Sequence, residues 1–177
     1  MKSYLIPILL LFVFISACHP SGQEVKGDVS DQVVVKPFSD TLLADTFKVA
    51  LEGDFLKELV IKFTITAHDG KLLYEKNFKA TDLINNYKST VDLKKESDQM
   101  AFILNEYKLF LDDENFLEPA VTENEDPDQY APDKKFYNEL KQSSLNGFKY
   151  RTGKESNIYI AWSEQEKKVK PYYNCCK

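Results

Sequence analysis

The sequence is poor in the residues that enzymes most often use for chemistry. Its 177 residues include only two histidines, three cysteines and six glycines. The glycines form no phosphate-binding loop, and neither an HExxH zinc motif nor a GxSxG nucleophile turn occurs. The 28 acidic residues leave room for a carboxylate pair of the glycosidase type, but no spacing selects one.

One of the two histidines, His68, is followed directly by Asp69 and Gly70. A histidine beside an aspartate can act as a base with its orienting acid. The polar residues and the glycine between two apolar segments predict a hairpin turn instead. The sequence therefore assigns no catalytic residue, no cofactor and no metal.

Positive charge is in deficit. The chain has 23 lysines and arginines against 28 acidic residues, which gives a formal charge of −5 at pH 7. Nucleic acids and anionic membranes bind to positively charged protein surfaces, and the net negative charge of this chain gives no sign of one. We therefore expect no nucleic-acid partner.

Long apolar runs are missing except for a short one at the N-terminus. Residues 5–15 are eleven apolar residues that follow Lys2 and contain Pro7. A membrane-spanning helix needs about 20 apolar residues, so this run is too short to cross a bilayer. A positive residue, a short apolar run and the small residues Ser16 and Ala17 are typical of a secretory signal peptide.

The residues Ile15, Ser16, Ala17 and Cys18 resemble the lipobox of bacterial lipoproteins. The resemblance implies that residues 1–17 are a cleaved signal peptide and that the Cys18 thiol carries diacylglycerol, with a further acyl chain such as palmitate on the new amino terminus. Several acyl chains make attachment to a bilayer effectively permanent. An ordinary signal peptide with a cysteine beside its cleavage site is the alternative.

The resemblance also implies a location. The protein is expected to be anchored in the cell membrane or the outer membrane, with its folded part in the periplasm or at the cell surface. His19 stands where an aspartate would favour retention in the inner membrane. We assign residues 18–45 to the lipidated cysteine and a flexible polar tether, and residues 46–177 to a single globular domain. Within the tether, residues 33–35 fit a short strand or a piece of linker equally well.

Apolar residues that recur at every second position predict antiparallel strands. Residues 46–52, 57–67 and 71–78 form such segments, separated by turns at Gly53 and Gly70, and we expect a three-stranded meander. Its predicted inward-facing residues are Phe47, Val49, Leu51, Leu59, Ile61, Phe63, Ile65, Ala67, Leu72, Tyr74 and Phe78. Near the C-terminus, residues 156–163 and 167–174 predict a hairpin.

Helical spacing predicts two helices between these groups of strands. Residues 98–111 have apolar residues at intervals of three and four, with Ser97 as a candidate cap, although a strand remains an alternative because the run is apolar all round. Residues 133–146 follow Pro132 and end before Gly147. Together the elements predict an α+β fold, an antiparallel sheet of about five strands with the two helices packed on one face.

The stretch 112–128 is acidic, with eight carboxylates and no basic residue. Calcium takes about six to eight oxygen ligands, which Glu123, Glu125, Asp126 and Asp128 could supply. The known calcium-binding loop has an invariant central glycine and a closing glutamate, and neither is present. A solvated loop is the preferred interpretation. Because long loops often carry function, we expect any partner to bind there.

Cys175 and Cys176 are adjacent at the C-terminus. If the Cys18 thiol carries lipid, these two are the only thiols left in an oxidising compartment. A disulfide between them and a pair of reduced thiols buried at a strand end fit about equally well. A metal site is poorly supported because no histidine lies nearby.

Two functions from different classes remain. The first is a non-catalytic, membrane-tethered binding or accessory domain of the cell envelope, with a protein or a glycan as partner. The second is an envelope hydrolase or thiol-redox protein that uses residues 112–128 or the terminal cysteine pair. No motif separates them, and apart from the lipobox the sequence resembles no characterised family.

Overall fold

The computed structural model describes residues 29–175. The expected signal peptide, Cys18, the tether up to residue 28, and Cys176 lie outside the described residues. The part that is described contains eight strands and three helices. The predicted α+β class is therefore confirmed, but the single sheet of about five strands is wrong. The strands form two antiparallel sheets of four strands each.

The first sheet has its strands in chain order, with each strand antiparallel to the next. The strands are β1 (Gln32–Pro37), β2 (Ala44–Glu52), β3 (Val60–Thr66) and β4 (Leu72–Lys79). The predicted meander is confirmed as β2 to β4. It is extended by β1, which contains residues 33–35 and lies within the stretch that the sequence assigned to the tether.

The predicted alternation of burial holds in β2 and β3. Phe47, Val49, Ile61, Phe63 and Ile65 are each at most 1% exposed. Burying a side chain of this size stabilises the fold by roughly 1.5–3 kcal/mol, so this face carries much of the core.

A bulge changes the predicted face of one residue in β4. Ile65 pairs with Tyr74 whereas Thr66 pairs with Leu72, which leaves Leu73 as an extra residue. The bulge turns Leu72 to the outer face beside Thr66, where it is 52% exposed. The expectation that Leu72 is buried with Phe78 was therefore wrong.

Two helices follow the first sheet. Helix α1 (Ala80–Tyr87), which was not predicted, begins directly after β4. Helix α2 (Glu96–Lys108) confirms the predicted helix but starts two residues earlier, so that Ser97 lies inside it and Lys95 precedes it without a side-chain cap. None of the helices in the described part of the chain has both the length and the apolar character needed to cross a membrane.

The second sheet is also built in chain order. Its strands are β5 (Phe116–Leu117), β6 (Gly147–Arg151), β7 (Asn157–Ser163) and β8 (Lys168–Cys175). The predicted C-terminal hairpin is confirmed as β7 and β8, with Trp162 opposite Val169. The strands β5 and β6 were not predicted.

The two sheets share one aromatic core. The ring of Phe148 in β6 lies 5.4 Å from the ring of Phe47 and 5.0 Å from the ring of Phe63. The hydroxyls of Tyr74 and Tyr150 are 2.9 Å apart and link β4 of the first sheet to β6 of the second. A sequence with 13% aromatic residues predicts such a core, because each ring buries a large apolar area.

The third helix covers the outer face of the second sheet. Helix α3 (Lys134–Ser143) begins at Asp133, whose Oδ1 accepts hydrogen bonds from the backbone N–H groups of Lys135 and Phe136. It ends at Ser144, which has a left-handed φ of 52°. The predicted helix therefore extended three residues too far at its C-terminal end, and Gly147 begins β6 instead of ending the helix.

The helices do not share one face of one sheet, so that part of the fold prediction was wrong. Helix α1 packs against α2 and β4, whereas α3 packs against β7 and β8. Strand β7 is buried on both faces, because Ile160 contributes to the shared core and Ser163 bonds to Glu139 of α3.

Candidate functional site

A cleft of about 430 Å³ opens on the outer face of the second sheet, beside α3. Its lining combines four tyrosines, three carboxylates and two small or apolar residues. The lining residues are Tyr137, Tyr159, Tyr172, Tyr173, Glu125, Asp126, Asp128, Leu117 and Ala120. We call it the tyrosine cleft. Depressions of similar volume at residues 88–94 and 152–156 have no aromatic lining, so they offer less to a ligand.

A bulge in β8 brings the tyrosines together. Tyr159 pairs with Tyr173, whereas Ile160 pairs with Pro171, which leaves Tyr172 as the extra residue. In a regular strand Tyr172 and Tyr173 would point to opposite faces. At the bulge both rings reach Tyr159, with centroids 6.0 Å and 5.4 Å away.

Two further tyrosines, outside β7 and β8, extend the aromatic cluster. The ring of Tyr137 on α3 lies 6.2 Å from that of Tyr172, and the ring of Tyr130 lies 6.0 Å from that of Tyr173. Five of the ten tyrosines in the sequence therefore form one continuous cluster. The spacings are those of tilted and edge-to-face pairs, which hold rings in defined orientations.

The floor of the tyrosine cleft depends on a glycine. Tyr172 is 3% exposed, and its hydroxyl donates a hydrogen bond of 3.0 Å to the carbonyl oxygen of Ala120. A Cβ atom at Gly147 would lie 2.8 Å from that hydroxyl and 3.0 Å from the Cβ of Ala120. Only glycine leaves room for this arrangement.

Hydrogen bonds attach the acidic stretch to β8. The Oδ2 of Asp128 accepts a bond of 2.8 Å from the Tyr173 hydroxyl, and its Oδ1 accepts one of 2.8 Å from the backbone N–H of Tyr130. The backbone N–H of Asn174 donates to the carbonyl oxygen of Tyr130 at 2.9 Å. The acidic stretch is thus joined to the strand that carries the cleft tyrosines.

The structure brings together three of the four acidic residues singled out from the sequence, because Glu123 does not line the tyrosine cleft. The Oε2 of Glu125 accepts a bond of 2.7 Å from the backbone N–H of Thr122. Asp126 pairs with Lys141 at 3.2 Å, whereas no lysine or arginine among residues 29–175 pairs with Glu125 or Asp128. Two of the three carboxylates therefore have no cation beside them within this part of the chain.

The carboxylates place a negative potential on the cleft. Burial raises the pKa of Tyr137, and the charges of Glu125, Asp128 and Asp126 raise it further. Burial also raises the pKa of Tyr173 to about 12, with additional contributions from the hydrogen bond to Asp128 and from its charge. These rings are consequently neutral at pH 7 and lie beneath a negative rim.

The described residues include no group of three or more histidine, cysteine, aspartate or glutamate side chains that could hold a metal ion. The three cleft carboxylates are therefore not placed to share one metal ion. As arranged, they can attract a cation but do not form the coordination shell of one.

Cys175 lies at the end of β8, two residues beyond Tyr173 and opposite Asn157. It is disulfide-bonded. The sequence has two other cysteines, Cys18 and Cys176, and both lie outside the described residues.

The predicted turn at residues 68–70 is confirmed. The Oδ1 of Asp69 accepts a bond of 2.9 Å from the backbone N–H of Lys71, as in a turn stabilised by its own aspartate. The backbone N–H of His68 donates to Asp45, a fully buried carboxylate that also accepts a bond from Ser39. Asp69 is thus engaged in holding the turn.

Comparison of the chain with known protein families, with curated proteins and with solved structures found no match. The tyrosine cleft therefore has to be interpreted from its own geometry. Sequence reasoning found its acidic rim but missed its rings. The available signal was the adjacent pair Tyr172 and Tyr173, which can share one face of a strand only at a bulge.

Proposed function

We propose that this protein is a lipid-anchored lipoprotein of the cell envelope whose globular part binds a partner in the tyrosine cleft and catalyses no reaction. Acylated Cys18 holds it on the cell membrane or the outer membrane. The observation that carries the binding role is the single cleft formed by four tyrosines and three carboxylates. Aromatic walls with a few placed polar groups are typical of ligand sites.

The engagement of the cleft's polar groups supports binding over catalysis. A general acid or base must reach the reacting atom with its proton available. Here the hydroxyl of Tyr172 donates to Ala120, that of Tyr173 donates to Asp128, and Asp126 is paired with Lys141. All three carboxylates lie on an exposed stretch of chain, which suits attraction of a ligand better than proton transfer in a water-free site.

The short distance between the expected anchor and the fold limits where a partner can be. Ten residues separate Cys18 from Val29, the first described residue. A fully extended chain of this length spans about 35 Å. Val29, where the described fold begins, must therefore lie within about 35 Å of the membrane surface, and a partner must be able to reach the domain held there.

The alternative, an envelope hydrolase or thiol-redox protein, has less support. A hydrolase would have to use carboxylates that already accept hydrogen bonds or pair with a lysine. A redox role has a single observation in its favour, the disulfide of Cys175 at the end of β8, the strand that carries Tyr172 and Tyr173.

The anchor is tested by metabolic labelling with an alkyne analogue of palmitate, followed by detergent phase partition. We expect the wild-type chain to be labelled and to enter the detergent phase, and the Cys18→Ser chain to do neither. Labelling of the Cys18→Ser chain to the wild-type level would contradict the assignment of Cys18.

The binding role is tested by crosslinking in intact envelopes with a matched pair of variants. Glu125→Gln removes a charge from the tyrosine cleft but keeps an oxygen that can accept from Thr122, whereas Glu123→Gln removes a charge from the same stretch outside the cleft. We expect the first variant to lose the crosslinked species and the second to retain it. Equal crosslinking by both variants would argue against the cleft as the binding site.

A further inference from the structure

The lining of the tyrosine cleft is suited to one kind of ligand group. We propose that the cleft binds a cationic nitrogen, an amino or alkylammonium group, and holds it between the tyrosine rings and the carboxylates. This inference rests on the binding function proposed above and specifies the chemistry of its ligand.

The charges around the cleft favour a cation. Its lining includes three carboxylates and no lysine, arginine or histidine. Lys141 pairs with Asp126. Glu125 and Asp128 have no basic partner among the described residues. A positive group entering the cleft therefore meets two carboxylates that need not first release an ion pair.

The rings supply the second attraction. The face of an aromatic ring is electron-rich and attracts a cation that lies within about 6 Å of its centroid. Tyr159 meets Tyr173 at 90°, whereas Tyr172, which is only 3% exposed, forms the floor and offers a ligand little of its ring. The half-buried rings of Tyr159 and Tyr173 therefore form a corner, which suits a compact, rounded group better than the broad face of a sugar ring.

The lining and size of the cleft favour an organic cation over a metal ion. Among residues 29–175 no three acidic, histidine or cysteine side chains are placed to share one metal ion. Tyrosine rings offer a metal no good ligand while the hydroxyls stay protonated, whereas they bury the methyl or methylene groups attached to a nitrogen. A volume of about 430 Å³ also exceeds what a bare ion needs and is suited to a side chain or a small ammonium compound.

The inference is tested by calorimetric titration of the full chain purified in a non-ionic detergent. Choline represents small ammonium compounds, and N-acetyl-lysine methylamide represents a lysine side chain of a polypeptide. The matched neutral probe is 3,3-dimethylbutanol, which has the shape of choline without its charge, and N-acetylglucosamine represents glycans. We expect one of the two cations to bind and the neutral isostere to bind at least about tenfold more weakly.

Variants tie the binding to the cleft. We expect Glu125→Gln to weaken binding of the better cation by about three- to tenfold, and Glu123→Gln to leave it unchanged. Tyr159→Leu should abolish measurable binding, whereas Tyr159→Phe should retain it because the ring is kept. The urea midpoint of each variant, followed by Trp162 fluorescence, shows whether the fold is intact.

Binding of 3,3-dimethylbutanol or N-acetylglucosamine as tightly as the better of the two cations would overturn the inference, and so would a failure of both cations to bind. In those cases the crosslinking experiment with Glu125→Gln and Glu123→Gln tests the proposed function separately. A crosslinked species that still depends on Glu125 and not on Glu123 would preserve a binding cleft with a different ligand. Loss of that dependence would remove both proposals.

Discussion

The hydroxyl of Tyr172 lies 3.0 Å from the carbonyl oxygen of Ala120, and the two meet over the bare Cα of Gly147. This contact connects the bulge in β8, the start of β6 and Ala120 in the acidic stretch. It sets the floor of the tyrosine cleft, so a small change there should affect both stability and ligand binding.

Gly147→Ala is expected to destabilise the protein by about 1–3 kcal/mol, because the new methyl group would overpack against the Tyr172 hydroxyl and Ala120. The matched control is Gly153→Ala, since a Cβ there would have its nearest contact at an ordinary 3.6 Å. Urea unfolding followed by Trp162 fluorescence measures both. Equal unfolding free energies for the two variants would contradict the steric argument.

Tyr87 and Tyr107 are both buried, but they differ in their hydroxyls. That of Tyr87 has no hydrogen-bond partner among the described residues, whereas that of Tyr107 lies 2.9 Å from the carbonyl oxygen of Ser30. We expect Tyr87→Phe to leave stability unchanged or raise it by up to about 1 kcal/mol, and Tyr107→Phe to lower it by about 0.5–1.5 kcal/mol. Thermal unfolding compares them, and a larger loss for Tyr87→Phe would refute the assignment.

Alkaline pH should destabilise the fold through its tyrosines. Burial raises the pKa of both Tyr87 and Tyr173 to about 12 from the ordinary 10.0, with the nearby carboxylates Glu106 and Asp128 adding to the respective shifts. The folded state therefore prefers the protonated hydroxyls. Their contribution is complete below pH 10.0 and is lost as the pH rises through about 12, because the unfolded chain ionises first.

Urea midpoints measured between pH 10.0 and about pH 12 test whether the stability falls as the pH rises. We expect Asp128→Asn to bring the pKa of Tyr173 back towards its ordinary value, because the variant removes the negative charge that disfavours tyrosinate. Ultraviolet absorbance of tyrosinate follows the titration, with Glu123→Gln as the control. A rise in stability above pH 10.0 would refute the assigned shifts.

The disulfide of Cys175 provides a test of the lipid anchor. If the thiol of Cys18 is alkylated, the only partner for Cys175 within the chain is Cys176. We expect peptide mapping of the unreduced protein by mass spectrometry to find Cys175 linked to Cys176, and to find no iodoacetamide adduct on either until a reductant is added. A peptide that joins Cys175 to Cys18 would rule out a lipid on Cys18.

The local elements of the fold could largely be predicted because their signals lie within a few residues. Alternating apolar residues and a turn with glycine specify β2, β3 and the hairpin at residues 68–70 without outside help. The pairing of Trp162 with Val169 likewise depends on one short turn. Helix α1 and strand β5 were missed because eight and two residues carry too little periodicity to stand out.

The candidate site was predicted only in part. The carboxylates Glu125, Asp126 and Asp128 were found because charge is visible in a sequence. The ring cluster was not found, since Tyr137 and Tyr172 are separated by 34 intervening residues and meet only when α3 packs on the second sheet.

The amino-acid sequence by itself determined the hairpins, the two longer helices, the acidic stretch and the resemblance of its N-terminus to a lipoprotein signal. Only the tertiary structure decided that the strands divide into two sheets and that the bulge at Tyr172 points adjacent tyrosines to one side. The physical reason is that period and turn chemistry act between neighbours in the chain. The division into sheets and the register at a bulge instead follow from how side chains far apart in sequence fill one core.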